Sequence, residues 1–471
     1  MASTRAPISA TFAEYEAKVE RLRGQYQQIP AGAPVRLAKR TSNLFRSRAK
    51  STAPGLDVAA FDGVIDVDAN RRTADVMGMT TYEHLVDATL PHGLMPLVVP
   101  QLKTITLGGA VTGLGIESSS FRDGLPHESV LEMDVLTGDG EVLTVTNQLD
   151  DPYRDLYLSF PNSYGSLGYA LRLKIELAPV SRFVLLRHVR FDTAERLTAS
   201  LASITETREY EGESVDFLDG AVFSPTEQYL TLGRWSEILP EGRNMPSDYT
   251  DMDIYYRSIQ HRHTDVLTAR DYIWRWDTDW FWCSRAFGAQ RPAIRKLWPK
   301  TKLRSDVYWK IIAADRRWHF SDRQARLLGK PQREEVVQDI EVPITALADF
   351  LEFFHREIGI EPIWVCPLRS RDGQTRWPLY DLNPHIAYVN VGFWSTVELP
   401  TGIDATAGHF NRMIEAEVTK LGGHKSLYSS AYYNQEQFDD LYGGPAYRDV
   451  KKRYDAEGRL LGLFEKVVQR R

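Results

Sequence analysis

The chain has 471 residues, 43% of them hydrophobic and 25% charged, with a net charge of −6. This composition is globular, the length suits two or three domains, and the acidic balance excludes nucleic-acid binding by overall charge. Two cysteines, Cys283 and Cys366, exclude a disulfide framework and point to a reducing compartment.

The first predicted element is a helix. Thr11 and Glu14 have capping-box spacing, and Phe12, Tyr15, Val19, Leu22 and Tyr26 share one face. The N-terminus has no apolar core of a secretory signal, and no apolar run reaches the length of a membrane span, so a cytoplasmic location is expected. Short β-rich pieces follow: APVRLAK, GVIDVD and TADVMG. Thr80 and Glu83 suggest a second capping box, opening a helix through YEHLVDATLPHG. A glycine-rich stretch then runs from Leu107 to Gly124. SVLEMDVLT and EVLTVT flank GDG, a hairpin signal, and LGYALRLKIELAPV reads as a long strand closed by Pro179.

The character changes near residue 180, which marks the best domain break. Tryptophan and positive charge increase beyond it. ITALADFLEFFHREIG reads as an amphipathic helix, EPIWVCP and HIAYVNVGFW as strands, and helices are expected around Gly408 to Leu421, Gln435 to Leu441 and Tyr447 to Val468. Strands come in runs as well as alternating with helices, which favours an α+β fold.

Seven of the eleven tryptophans lie between Trp274 and Trp318. From Arg270 to Trp318 there are twelve Lys and Arg against five Asp and Glu, a local excess of +7 that leaves −13 for the rest. Trp274, Trp276, Trp280, Phe281, Trp282 and Phe287, among Arg285, Arg291, Arg295, Lys296, Lys300, Lys302 and Arg304, suggest a patch lying at a lipid surface. Burial as domain core or in a dimer interface is the plainer alternative.

The most informative stretch is PQLKTITLGGAVTGLGIESSSFRDG, which begins at Pro100. Its glycines permit close backbone approach to a ligand. It is no dinucleotide fingerprint, because Gly113-Leu-Gly115-Ile-Glu-Ser118 lacks the third glycine and no amphipathic helix follows. YGSLG around Ser166 is no nucleophile elbow, since Tyr164 stands where glycine is required. A structural turn is the plainer reading. Upstream, Arg40, Thr41, Ser42 and Asn43 form a second loop dense in donors.

Two donor loops and a glycine turn entering a strand, in this order, resemble the FAD-binding domain of the vanillyl-alcohol oxidase (PCMH-type) flavoproteins. ITLGGAVTGLGIESSSFRDGL, DLYLSFPNSYGSLGYALRLKIELAPV, VVQDIEVPITAL, PIWVCPL and YYNQEQFDDLYGG resemble its delta-24-sterol reductase branch, across most of the chain. That branch also resembles bacterial reductases that convert a 10-methylene to a 10-methyl fatty acyl chain. The resemblance implies a PCMH-type FAD-binding domain of two α/β subdomains over residues 1–179. It also implies an α+β cap or substrate domain over 180–420, with the Trp-rich segment at 270–318, and a helical segment over 421–471 returning toward the flavin.

Further expectations follow from the resemblance. FAD contacts fall on Arg40, Thr41, Ser42, Asn43, Pro100, Thr106, Gly108, Gly109, Gly113, Gly115, Ser118, Ser119 and Gly168. The region of Leu114 to Glu117 has no His or Cys, so FAD is expected to be noncovalent. The implied activity is NADPH-dependent reduction of an isolated C=C bond in a lipid. A methylene-branched acyl chain of a phospholipid is the first choice, a delta-24 sterol the second, and an FAD oxidase the rival. The protein is expected at the membrane periphery, with a lipid methyltransferase acting upstream.

Such an alkene needs an acid in a dry pocket. Glu117 is a candidate because a carboxyl buried beside lipid stays protonated; hydrogen bonding to the ribityl chain or to the serine turn is its alternative. Tyr432 and Tyr433 are further candidates, or else packed wall. Tyr388 and Asn390 alternate on a strand and could line the pocket. His261, His263 and Asp265 find no completing ligand elsewhere, so no metal site is expected, and Cys366 reads as a buried strand residue.

Overall fold

The computed structural model describes residues 10–38, 45–46, 55–318, 331–404 and 406–470. The first capping box forms as read. Thr11 Oγ1 accepts from the Glu14 N–H at 3.2 Å, and the Glu14 carboxylate accepts from the Thr11 N–H at 2.7 Å. Helix α1 (Phe12–Gln27) buries Tyr15, Val19, Leu22 and Tyr26 against Leu56, Phe61 and Leu171. Phe12, one turn too early to reach this core, is 48% exposed. Strands β1 (Arg36–Ala38) and β2 (Gly55–Asp57) form a small parallel pair beside it.

A six-stranded antiparallel sheet follows. It contains β3 (Val64–Asp68), β4 (Thr73–Met77), β5 (Leu94–Pro96), β6 (Val130–Leu136), β7 (Val142–Thr146) and β8 (Tyr169–Pro179). The order is β3-β4-β8-β6-β7, and β5 also pairs with β8. The GDG turn closes with Thr137 N–H donating to Glu141 O at 2.8 Å. Helix α2 (Tyr82–Thr89) is capped by Thr81, whose side chain accepts from the His84 N–H, and not by Thr80. The Thr80 hydroxyl is fully buried and already committed, accepting from Gly63 N–H at 2.8 Å and donating to Gly63 O at 3.0 Å.

Inside the glycine-rich stretch lies a short helix, α3 (Leu107–Gly113), capped by Thr106. Packing overrides propensity here. The Gly108 N–H donates to Gly78 O at 2.9 Å, and a Cβ on Gly108 would sit 2.8 Å from that oxygen.

β8 ends at Pro179, and β9 (Phe183–Phe191) opens a second, eight-stranded antiparallel sheet. Strands β10 (Glu209–Tyr210) and β11 (Glu213–Ser214) form a separate small hairpin. The sheet continues with β12 (Phe217–Ser224), β13 (Glu227–Ser236), β14 (Thr264–Thr268), β15 (Arg333–Pro343), β16 (Ile363–Leu368), β17 (Tyr388–Glu398) and β18 (His424–Lys425). Its order is β14-β9-β13-β12-β16-β17-β15-β18. β18 therefore keeps residues 424–425 in this sheet, and the helical tail begins after them rather than at 421.

The period of two along these strands decides which side chains face the site. Val336, Ile340 and Val342 of β15, Ile363 and Val365 of β16, and Val389, Val391 and Phe393 of β17 pack under the helices Ala194–Thr207, Leu347–Glu357 and His409–Lys420. The alternate positions Asp339, Trp364, Asn390 and Trp394 line a cavity on the opposite face.

The expected last helix is two, Gly444–Tyr454 and Leu463–Val467, separated by a turn with Gly458 at φ 63°. Both are tied to the first sheet's domain. Tyr454 donates to Asp155 at 2.6 Å, Lys451 to Ser166 O at 2.8 Å, and Lys466 to Gly165 O at 2.7 Å.

Phe354 contacts Phe393 at 4.4 Å between centroids in the helix-covered core, and both are fully buried. Phe354→Ala is expected to cost about 3–5 kcal/mol of stability, read as a lowered denaturation midpoint in urea.

Candidate functional site

The Trp-rich segment is not a surface patch. Trp274, Trp276, Trp280, Phe281 and Trp282 are each 6% exposed or less. They fill the wedge between the second sheet and the glycine-rich segment. Trp276 stacks on Phe281 at 4.8 Å, and Phe281 meets Trp394 at 4.4 Å and Trp364 at 5.4 Å. Part of the expected charge is buried as well. Arg275 and Arg295 are enclosed, the latter against Asp279 at 2.7 Å. The alternative of domain core holds because each indole buries more area than any exposed arrangement would. What remains outside is Arg285, Arg291, Lys296, Lys300 and Lys302 around Leu297, which is 85% exposed.

Arg275 joins three parts of the chain. Its Nη2 donates to Glu117 Oε1 at 2.9 Å, from the glycine-rich segment, and to Asp219 Oδ2 at 2.8 Å, from β12. Trp276 and Trp364 donate to the same Asp219 oxygen at 3.0 and 3.2 Å. The guanidinium lies 4.0 Å from the Tyr272 ring centre. Ser118 Oγ donates to Glu117 Oε1 at 2.6 Å and lies 2.8 Å from the Tyr272 hydroxyl. Burial pushes the Glu117 carboxyl up, and Arg275 opposes that shift.

A cavity of about 230 Å³ opens beside this network. One wall is the glycine-rich side: Pro100, Gln101, Thr106, Gly109 and Gly113 to Ile116. Leu114 is held at φ 66°, a left-handed conformation that a leucine adopts only under constraint. Tyr164 packs on the glycine-rich side, and the other aromatic residues lining the cavity are Phe45, Trp280, Phe281, Trp364, Trp394 and Tyr428. Its polar residues from the second domain are Asp339, Asn390 and Ser426, with the Tyr428 hydroxyl. Asn390 Nδ2 donates to Asp339 Oδ1 at 3.2 Å, and the Tyr428 hydroxyl also hydrogen-bonds this carboxyl. Trp394 Nε1 in turn donates to Tyr428 at 2.9 Å. Burial raises the Asp339 carboxyl to about 6 despite these bonds. Glu341, two residues on, is raised to about 8 by burial and is held by Tyr380 and Ser426.

The comparisons bear on this cavity. The FAD binding domain family matches residues 30–146, which include the glycine-rich wall. The delta(24)-sterol reductase of Arabidopsis thaliana is 23% identical over 449 residues, covering 87% of this chain and 76% of that protein. The Homo sapiens delta(24)-sterol reductase is 24% identical over 451 residues, covering 91% and 80%. Cytokinin dehydrogenase 10 of Oryza sativa is 28% identical over 200 residues, 40% of this chain. The chain carries an FAD binding domain and is similar over most of its length to delta(24)-sterol reductases. It is an FAD-dependent oxidoreductase.

The cavity of this flavoprotein suits FAD on its own chemistry. Gln101 Nε2 and Asn390 Oδ1 are buried at its wall with no partner among the described residues, a donor and an acceptor left for a heteroaromatic edge. Of the residues expected to contact FAD, Pro100, Thr106, Gly109, Gly113 and Gly115 line the cavity. Arg40, Thr41, Ser42 and Asn43 lie outside the described residues. The other four do not line it and have structural partners. Gly108 packs on Gly78, and Ser118 serves the Arg275 network. Ser119 donates to Leu97 O at 2.8 Å. Gly168 lies against β6, where a Cβ would meet Leu136 O.

The expected acids need the same correction. Glu117 is engaged by Arg275 and Ser118 and is not on the cavity wall. Tyr433 packs against Tyr442, and Tyr432 lies beneath the Arg412 guanidinium; neither lines the cavity. Of the pair Tyr388 and Asn390, only Asn390 reaches it; the Tyr388 hydroxyl accepts from Asn383 N–H. Asp339, Ser426 and Tyr428 were missed. The one available signal was an acid interrupting the apolar strand VVQDIEV, where a central strand otherwise favours Val and Ile. Cys366 is fully buried with its thiol pushed well up, as suits a strand residue.

Two outcomes check this site. Arg275→Met leaves two buried carboxylates without their cation and is expected to cost about 3–5 kcal/mol, measured by denaturant unfolding. Gly109→Trp places an indole in the cavity and is expected to yield folded but colourless protein, read as the flavin-to-protein absorbance ratio.

Proposed function

We propose that this flavoprotein reduces an isolated C=C bond in a branched aliphatic lipid, with NADPH as reductant and a methylene-branched phospholipid acyl chain as substrate. The observation that carries the reading is the cavity wall opposite the glycine-rich segment. It is built from aromatic rings around one hydrogen-bonded carboxyl, Asp339. An unactivated alkene offers no carbonyl to polarise, so reduction needs a proton source in a water-poor pocket. At a methylene branch, protonation leaves the positive charge on a tertiary carbon. Faces of Trp280, Trp364 and Trp394 favour such charge.

Pro100, Thr106, Gly109, Gly113 and Gly115 would hold FAD, with Gln101 and Asn390 meeting its polar edge. Bound and reduced, FAD supplies hydride. The residues of the chain exclude water, orient the alkene between the glycine-rich and aromatic walls, and hold the proton. A delta-24 sterol side chain, also a branched isolated alkene, is the second reading. It is favoured by the activity named for the plant and human relatives.

No helix of the described residues is long and apolar enough to cross a membrane. Access to lipid is instead ascribed to the exposed rim of Leu297, Arg291, Lys296 and Lys302. Trp309, on the helix that follows this rim in the chain, reaches the cavity wall, its ring 5.0 Å from Phe45 and 6.0 Å from Trp280. Cations around a protruding leucine match an anionic bilayer surface. An upstream lipid methyltransferase would supply the methylene-branched chain.

An anaerobic titration tests the reading. NADPH is expected to bleach the flavin, and methylene-branched phospholipid to restore the colour while gaining two hydrogens by mass spectrometry. Restoration by a delta-24 sterol alone would select the second reading. A flavin that NADPH leaves oxidised, but that an alcohol substrate reduces with peroxide release in air, would identify an oxidase.

A further inference from the structure

We infer that Asp339 is the acid that protonates the alkene, and that Glu341 and Ser426 form the route by which it regains its proton. The inference rests on the functional reading above and deepens it.

Geometry singles out Asp339. Among the described residues lining the cavity it is the only carboxylic acid. It projects from β15 onto the same face as Glu341, opposite the helix-covered core. Its cross-strand partner on β17 is Gly392, and the space left by that missing side chain is where the carboxyl sits. A Cβ on Gly392 would overlap Asp339 Oδ1 and lie 2.7 Å from the Trp394 ring. The carboxyl is therefore held between Asn390, Tyr428 and Gly392, without an arginine or lysine ion pair among the described residues. Glu117 differs in just this respect, being paired to Arg275. A carboxyl in an apolar wall, with no cation paired to it among the described residues, keeps its proton to higher pH than a free one.

The groups around Asp339 support reprotonation. Ser426 lines the cavity, placed beside Asp339 by its N–H, which donates to the Asp339 main-chain carbonyl at 3.0 Å. Its hydroxyl donates to Glu341 Oε1 at 3.1 Å. Tyr380 donates to the other Glu341 oxygen. A second buried acid is thus one hydroxyl away from the cavity.

The step balances. The Asp339 O–H bond breaks and a C–H bond forms at one alkene carbon. The other carbon receives hydride with its electron pair from the reduced cofactor, whose electrons come from NADPH. The Asp339 carboxylate is then reprotonated from solvent through Glu341 and Ser426.

The test uses the full-length, flavin-loaded protein and vesicles of methylene-branched phospholipid. Wild-type protein is reduced with NADPH, and reoxidation by the vesicles is followed in a single turnover. In deuterated buffer the product is expected to gain solvent deuterium at the protonated carbon. Asp339→Asn is expected to keep its flavin and be bleached at the wild-type rate, while reoxidation slows about 100-fold or more, with partial recovery in Asp339→Glu. Infrared difference spectra across about pH 4 to about pH 8 should show a protonated-carboxyl band that fades as pH rises through about 6 and is missing in Asp339→Asn.

Asn-variant reoxidation within threefold of wild type, or an unchanged carboxyl band, would overturn the assignment. If Asp339→Asn does not fold, wild type decides. Reoxidation that falls as pH rises supports the acid, because the protonated form is lost above its pKa; a flat profile removes it. Wild-type protein that NADPH reduces but no alkene reoxidises overturns the functional reading itself.

Discussion

The buried guanidinium of Arg275 is the contact on which the arrangement of the two sheets depends. It is fully enclosed, and it binds one carboxylate from the glycine-rich segment and one from the second sheet. Charges taken so far out of water are tolerated only when each is met by a partner. Glu117 and Asp219 therefore cannot separate without leaving charge exposed to an apolar interior. The indole N–H groups of Trp276 and Trp364 complete the Asp219 side. The aromatic wedge is fastened to both halves by this network, and the cavity is the space it leaves.

That cavity combines two properties that oppose each other. Aromatic walls lower the local dielectric, which favours hydride chemistry on an apolar substrate and disfavours any charge. A carboxyl placed there, with no Lys or Arg paired to it among the described residues, keeps its proton to higher pH than a free one. Asp339 and Glu341 are both raised in this way, to about 6 and about 8. Glu117, equally buried, has its own counterion and so serves architecture. The three acids differ in role because of what stands opposite each of them.

The sequence was informative where local physics decides. The Thr11 capping box, the GDG hairpin and the strand ending at Pro179 form where spacing and turn residues placed them. The glycine-rich segment was legible as a ligand wall because its glycines and Thr106 are contiguous in the chain. Thr80 misled because Thr80 and Thr81 offer the same hydroxyl, and only the packing of Gly63 decides which one caps. The tryptophans misled for a related reason. An amphipathic ring beside basic residues reads equally well as interface or as core, and composition does not reveal that Arg275 and Arg295 turn inward.

By itself, the sequence determined the α+β class, the change of character near residue 180 and the FAD-binding resemblance. These follow from periodicity, turn chemistry and contiguous motifs. The tertiary structure alone decided which acids reach the cavity. Asp339, Asn390 and Tyr428 come from separate segments, and their convergence depends on strand register and on the absence of a side chain at Gly392. Register is set by long-range burial, where a shift of one residue would turn Asp339 away from the site and into the helix-covered core.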